Sequence, residues 1–297
     1  MGILTRAQAH RDGISDAQLQ RAVRCGELHR IAAGIYMRAD HYRELDVRAR
    51  HRHTALATAA ACGPGAIVSH VSAAVMHGLD CGGLGLNVVH VTRNRSSGGR
   101  KSATFHLHPA PLVPEEIVLV DGVATTSLAR TIVDIARTTS FENAVVIGDC
   151  ALRRGMRRDD LASVLERLHG RRGMSRARVV AEFIEPGAES PGESISRVRM
   201  RADGWPMPTL QQEIRLGGRF IGRVDFFWEE FGVVGEFDGM VKYRSENPGA
   251  VVEREKLRED AIRDAGFEVF RWVWADLRDF ERVRERFDRA CVRGVAR

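Results

Sequence analysis

Along residues 1–44 the apolar positions recur first at helical and then at strand spacing. Thr5-Arg6-Ala7-Gln8 and Ser15-Asp16-Ala17-Gln18 each match the capping box, in which a Ser or Thr caps the helix and the Gln three residues on reaches back. Gly13 separates the two. A second helix over residues 16–25 places Leu19, Ala22 and Val23 on one face, and Gly26 stops it. Residues 28–31 and 34–37 read as short strands around Ala32-Ala33. Two short helices followed by a hairpin predict a winged helix-turn-helix whose second helix enters a DNA major groove. Gln18, Gln20, Arg21 and Arg24 are its outward side chains, and Arg30 follows on the first strand; these are the expected contacts to base edges and phosphates. The same pattern also describes a small helical cap with a solvated polar face.

Residues 45–185 form a middle module of alternating helical and strand patterns. A small-residue helix is expected over 69–79, strands over 87–92 and 105–108, and a helix over 126–137 with Arg130 and Asp134 at i,i+4 spacing. His51/His53 and His106/His108 are spaced to share a strand face. Neither pair has a third ligand beside it in the sequence, so surface or core histidine is the expectation. Residues 152–178 are dense in Arg, with Asp159, Asp160 and Glu166 interleaved. They read as a basic helical connector, either a phosphate-tracking patch or a solvated linker.

Glu185-Pro186-Gly187-Ala188 marks a boundary, and the last module spans 186–297. A helix is expected over 191–202, a strand over 212–216 and a hairpin at Gly217-Gly218. Apolar strands follow over 222–228 and 232–238, a charged helix over 252–265, a strand over 267–273 and a closing helix over 277–292. The fold class expected for the chain is α/β in the broad sense (α+β), with a mixed central sheet flanked by helices in this last module. Acidic residues interrupt two otherwise apolar strands. Glu236 and Asp238 share a face, and Asp225, between Val224 and Phe226, can meet Glu236 across a hairpin ladder. Like charges so placed repel unless a cation sits between them, and Mg²⁺ prefers one or two carboxylates with waters and phosphate oxygens.

Composition sharpens this only in part. The 297 residues suffice for two or three modules, and a net charge of +6 favours a polyanionic partner without requiring one. The 5 cysteines are scattered and form no C-x-x-C pair, which argues against a disulfide framework or zinc ribbon. No leader-like segment and no apolar run of roughly 18 residues occurs, so a cytoplasmic protein without a membrane span is expected. All 11 histidines lie at or before His169, so chemistry in the last module must come from carboxylates, Lys and Arg.

Asp225 followed by Glu236-Phe237-Asp238-Gly239, with Glu193 on the preceding helix, resembles the PD-(D/E)XK nuclease superfamily, most nearly the branch related to very-short-patch repair endonucleases. The resemblance implies that Asp225 and Glu236 hold Mg²⁺, or Mn²⁺ in its place, and that Glu193 is the helix acid. The position of the superfamily's Lys is Asp238 here, and Lys242 is the nearby substitute for stabilising charge. Glu253, Lys256, Arg258, Asp260 and Arg271 also resemble this branch, with Arg258 and Arg271 as expected phosphate contacts. Each has a plainer reading: Glu193 closes a capping box after Ser190, Asp238-Gly239 is turn chemistry, and Lys242 is a solvated charge.

The chain as a whole resembles proteins with an N-terminal domain similar to AbiE-type (type IV) toxin–antitoxin antitoxins. The stretches that carry this are 4–8, 34–36, 69–79, 130–134 and 151–155. This resemblance implies winged-helix DNA binding, autoregulation and a cognate toxin as partner. The expected function is therefore a DNA-binding protein with a Mg²⁺-dependent endonuclease-like domain, in a toxin–antitoxin, phage-defence or repair setting. The alternative is a non-catalytic antitoxin or transcriptional repressor that uses the nuclease fold as a scaffold.

Overall fold

In the structure, a computed structural model, residues 3–239 and 248–295 are described. The chain divides into two compact units, Met1–Phe183 and Ile184–Arg297.

The first unit opens with β1 (Ile3–Thr5), α1 (Arg6–Arg11), α2 (Asp16–Arg24), β2 (Leu28–Ala32) and β3 (Ile35–Arg38). Both capping boxes form: Thr5 with Gln8 and Ser15 with Gln18 exchange hydrogen bonds in both directions. β3 lies between β1 and β2 in an antiparallel sheet. Gly34, at φ +72°, makes the turn and accepts a hydrogen bond from Arg6 N at 2.7 Å. Ala9, Leu19 and Tyr36 form a small core with Leu4, Ile14, Val23 and Leu28 around it. β1 was not anticipated, because three residues are too few to show a period.

α3 (Ala39–Glu44) and α4 (Val47–Cys62) follow. The expected boundary at 44/45 does not separate two bodies. Arg50 of α4 donates to the carbonyls of Tyr42 at 3.0 Å and Arg43 at 2.6 Å, and α4 packs against β2. The rest of the unit is built on β4 (Ile67–Val68), α5 (His70–Met76), β5 (Val89–Asn94), β6 (Arg100–Lys101), β7 (Phe105–Ala110), β8 (Ile117–Val120) and β9 (Val123–Thr126). Its six-stranded mixed sheet runs β6-β7-β5-β4-β9-β8, with β5/β7 and β4/β9 parallel.

Four helices complete the unit: α6 (Leu128–Thr138), α7 (Phe141–Arg153), α8 (Arg158–Arg167) and α9 (Met174–Phe183). The last two correct the expected connector. Leu161, Val164, Leu168, Met174, Ala177 and Val180 are all buried, so α8 and α9 belong to the compact body, with arginines on the outer side. The expected i,i+4 pair of Arg130 with Asp134 forms, in the interior. Arg130 is fully buried, bonds Glu116 at 2.6 Å and Asp134 at 2.9 Å, and donates to Pro111 O at 2.9 Å. Arg167 reaches the other oxygen of Glu116 at 3.0 Å. A buried charge survives only when paired and hydrogen-bonded in this way.

The second unit has the expected order: α10 (Pro191–Ala202), β10 (Thr209–Leu216), β11 (Arg219–Trp228), β12 (Val233–Asp238), α11 (Pro248–Asp264), β13 (Glu268–Val273) and α12 (Glu281–Val295). The sheet runs β10-β11-β12-β13; the first two pairings are antiparallel and β12/β13 is parallel. The fold is α+β in both units. Two cores form in the second. One holds Phe226, Trp228, Val233, Phe237, Phe270 and Trp272 with Phe287 of α12, and the other joins Phe227, Val234 and Val269 to Ile262 of α11. Alternation along β11, β12 and β13 therefore sends successive side chains to opposite faces, each covered by helix.

Candidate functional site

The carboxylates of the second unit are placed by a helix start and a fork between strands. Ser190 caps α10 by accepting from Glu193 N at 3.2 Å. Gly192 lies flat on Phe237; a Cβ there would sit 1.9 Å from the ring, so only glycine lets the helix come this close. The Glu193 carboxylate is buried and accepts from Glu189 N at 2.8 Å rather than from the capping residue Ser190, so the expected capping box does not close. It also accepts from Gln211 Nε2 at 3.2 Å, and the same nitrogen donates to Asp225 Oδ1 at 3.3 Å.

The β11/β12 register places Asp225 opposite Glu236, as expected, but the ladder ends one step short of them. Its last pair is Phe226↔Gly235. Beyond it the Asp225 side chain replaces the ladder, its Oδ2 accepting from Phe237 N at 3.0 Å. The strands part where the two acids stand. Gln211 lies opposite Asp225 in β10, between the pairs Leu210↔Phe226 and Gln212↔Val224, at φ +53°. A non-glycine residue held there costs on the order of 1 kcal/mol and persists where its surroundings dictate it. Gln211 is the site residue that sequence reading missed: a neutral amide in a strand carries no charge signal, and its φ is invisible in the sequence.

Glu236 is buried. Its Oε2 accepts from Arg258 Nη2 at 2.6 Å, while Oε1 is buried without a hydrogen-bond partner among the described residues. Burial raises its carboxyl above the usual range and Asp225 adds to the rise, against the opposing pull of Arg258. Glu193 is pushed up to about 7, first by burial and then by the neighbouring charge of Asp225. Glu193 is thus opposed by burial and by the charge of Asp225, and Glu236 by the same two causes, only partly offset by Arg258 and Arg271. That, with the orphaned oxygen of Glu236, fits a cation at Asp225 and Glu236. Among the described residues the three acids do not converge as closely as the histidines discussed below, and a Mg²⁺ site needs only one or two carboxylates.

The expected phosphate contacts are turned inward. Arg258 also donates to Arg223 O at 2.9 Å. Arg271 bonds Glu259 at 2.9 Å and Asp238 at 3.3 Å, and lies 3.9 Å from Glu236. Both guanidinium groups are about three-quarters buried and compensate acids, so they are not free to bind phosphate as they stand. Asp238 pairs with Arg271 rather than facing the pair Asp225/Glu236. Lys242 lies outside the described residues.

In the first unit, Gln18, Gln20, Arg21, Arg24 and Arg30 are all exposed. Gln18 is partly occupied, its Oε1 accepting from Ser15 N at 2.8 Å. Arg30 reaches only Ala32 O, at 3.4 Å. Gln20, Arg24 and Arg30 line an open cleft of about 850 Å³ with Arg6 and His10. His51 and His53 lie on a helix, not a strand, so i,i+2 spacing parts them. His51 is buried against Leu86 O at 2.7 Å and Ser72 Oγ at 2.8 Å.

The molecule is thus an α+β protein whose first unit opens with two short helices and a β-hairpin and whose second unit joins Glu193 and Asp225 through Gln211. No family model matches it. It belongs to the family of two proteins of Mycobacterium tuberculosis, the uncharacterized protein Rv2248 of strain H37Rv and the uncharacterized protein MT2308 of strain CDC 1551. To each it is 30% identical over 204 residues, covering 66% of this chain and 74% of theirs. Among solved structures, the crystal structure of the RV2827C protein from Mycobacterium tuberculosis aligns with a TM-score of 0.40 at 15% identity, over 73% of this chain and 85% of that one.

Proposed function

We propose that this is a DNA-binding protein whose second unit hydrolyses phosphodiester bonds with Mg²⁺, on the pattern of the PD-(D/E)XK nucleases. The observation that carries this is the buried, unpartnered oxygen of Glu236 beside Asp225, where the strands part. Asp225 and Glu236 would hold the ion. The chemistry such an ion would supply is polarisation of the phosphate and activation of a water nucleophile. Asp225 also ties the β12 backbone through Phe237 N, which fixes its carboxylate. Gln211 orients the carboxylates of Glu193 and Asp225 through one amide group. Glu193, with its carboxyl near 7, holds or releases a proton at neutral pH. Arg258 stabilises the charge on Glu236. A plasmid-nicking assay with nicked, mismatched and single-stranded substrates tests the reading; no Mg²⁺-dependent cleavage of any of them would sink it.

In the first unit, Gln20, Arg21 and Arg24 are the proposed duplex contacts. They are exposed on α2 and hold no side-chain hydrogen bond or ion pair with other described residues. Arg21→Ala and Arg24→Ala are each expected to lower duplex affinity severalfold. Each should also reduce the slope of log K against log salt by about 0.9, the value for one phosphate contact. Fluorescence anisotropy at several salt concentrations reads both; an unchanged slope in both variants counts against this face.

A second reading is favoured by one observation: Asp238 stands where this nuclease pattern has Lys, and it pairs with Arg271. On that reading the protein is an antitoxin or repressor without catalysis, which binds operator DNA with steep salt dependence and no metal requirement. Among the described residues, no helix is long and apolar enough to cross a membrane.

A further inference from the structure

The histidines that looked isolated along the sequence meet in the first unit. The parallel register of β5 and β7 sets His90 beside His106 and Thr92 beside His108. β4, paired with β5, delivers His70 to the same place at the start of α5. One ligand nitrogen from each of His70, His90 and His108 lies within 4.8 Å of the other two. We infer that His70, His90 and His108 form a binding site for a divalent transition-metal ion of the zinc class.

Three observations support this. His90 Nδ1 and His108 Nε2 are 3.0 Å apart. Two imidazole nitrogens on one tetrahedral zinc stand about 3.3 Å apart, given Zn–N bonds of about 2.0–2.1 Å, so little movement separates this arrangement from a ligated one. His70 is buried and its Nδ1 is held by Ser69 Oγ at 3.0 Å, which in turn accepts from Thr92 Oγ1 at 2.8 Å. That outer bond fixes the ring and leaves Nε2 to ligate, the arrangement in which ligating histidines are usually kept. His70 also holds φ +53°, a conformation retained by a side chain other than glycine only where the surroundings dictate it.

The rival explanation is a plain hydrogen bond between His90 and His108, with the rings stacked as a polar core. Stacking of His70 on His108, with ring centroids 3.9 Å apart, belongs to that explanation too, but it does not account for the convergence of one nitrogen from each of the three rings. The cations nearby, Arg130 and Arg137, are paired with Glu116 and Asp134, so their repulsion of an incoming ion is reduced. His90 and His108 are partly exposed, and a water would complete a four-coordinate site.

The test titrates chelator-treated full-length protein with Zn²⁺ alone and with Co²⁺ alone by calorimetry, and records the visible spectrum of the cobalt form. The expected result is one equivalent bound with a four-coordinate cobalt spectrum. His90→Gln and His108→Gln should each weaken binding by about 100-fold or more, since loss of even an outer-shell partner costs 10–100-fold. Asp225→Ala/Glu236→Ala, in the other unit, should leave it unchanged. If a histidine variant fails to fold, X-ray absorption at the zinc edge of the wild type decides: three imidazole scatterers support the site, and a shell without them overturns it. Absence of binding by folded wild type, or binding undiminished in both folded histidine variants, also overturns it.

Discussion

Asp225→Asn is expected to abolish Mg²⁺-dependent nicking, with a loss on the order of 10³-fold or more, as removal of a charge-stabilising group from a reacting phosphate site generally produces. The variant is chosen for what it keeps. Asp225 Oδ2 accepts from Phe237 N at 3.0 Å, and an amide oxygen can accept the same bond. The β11/β12 fork should therefore survive while the negative charge is lost. Plasmid nicking measures the loss, and circular dichroism confirms that the fold is retained. A folded variant that nicks at the wild-type rate would remove Asp225 from the chemistry.

Glu193→Gln is expected to make the metal-free protein more stable above neutral pH while it impairs cleavage. The sign follows from the raised carboxyl. In the unfolded chain Glu193 ionises near 4.5, and in the folded protein burial and Asp225 hold it at about 7. Below pH 4.5 both states carry the proton and the residue has no net effect. Between 4.5 and 7 the unfolded state gives up the proton first, so stability falls as pH rises, and above 7 the loss is complete. A rise of this size corresponds to about 3 kcal/mol. Gln keeps an oxygen for Glu189 N and has no proton to lose. The melting curves of variant and wild type should thus coincide near pH 4 and separate by several degrees near pH 8, measured with chelator present. A separation independent of pH would mean that Glu193 is not held as a buried, electrostatically opposed acid.

How much of this was legible differs from residue to residue. Strands 222–228 and 232–238 were legible because both faces of the sheet are covered, which makes them nearly continuous apolar runs. Within such runs Asp225 and Glu236 stood out at once. What did not stand out is that the ladder ends at Phe226↔Gly235 and that Asp225 also bonds the backbone at Phe237 N. Arg258 and Arg271 read as free cations, since spacing cannot tell which way a half-buried helix or strand position turns. Their acid partners come from other elements. The histidine cluster was out of reach for a related reason. His106 and His108 needed a third ligand, and His70 and His90 arrive only through the β4/β5/β7 arrangement. In the first unit the two capping boxes formed as read, since their contacts are three residues apart.

The most direct test of the account is a calorimetric titration of Mg²⁺ into wild type and Asp225→Ala/Glu236→Ala, with plasmid nicking measured on the same samples. The account predicts that wild type binds Mg²⁺ and nicks, and that the double variant does neither. Wild type that shifts DNA but neither binds Mg²⁺ nor nicks would contradict it, and would leave the second unit as a scaffold in a DNA-binding regulator.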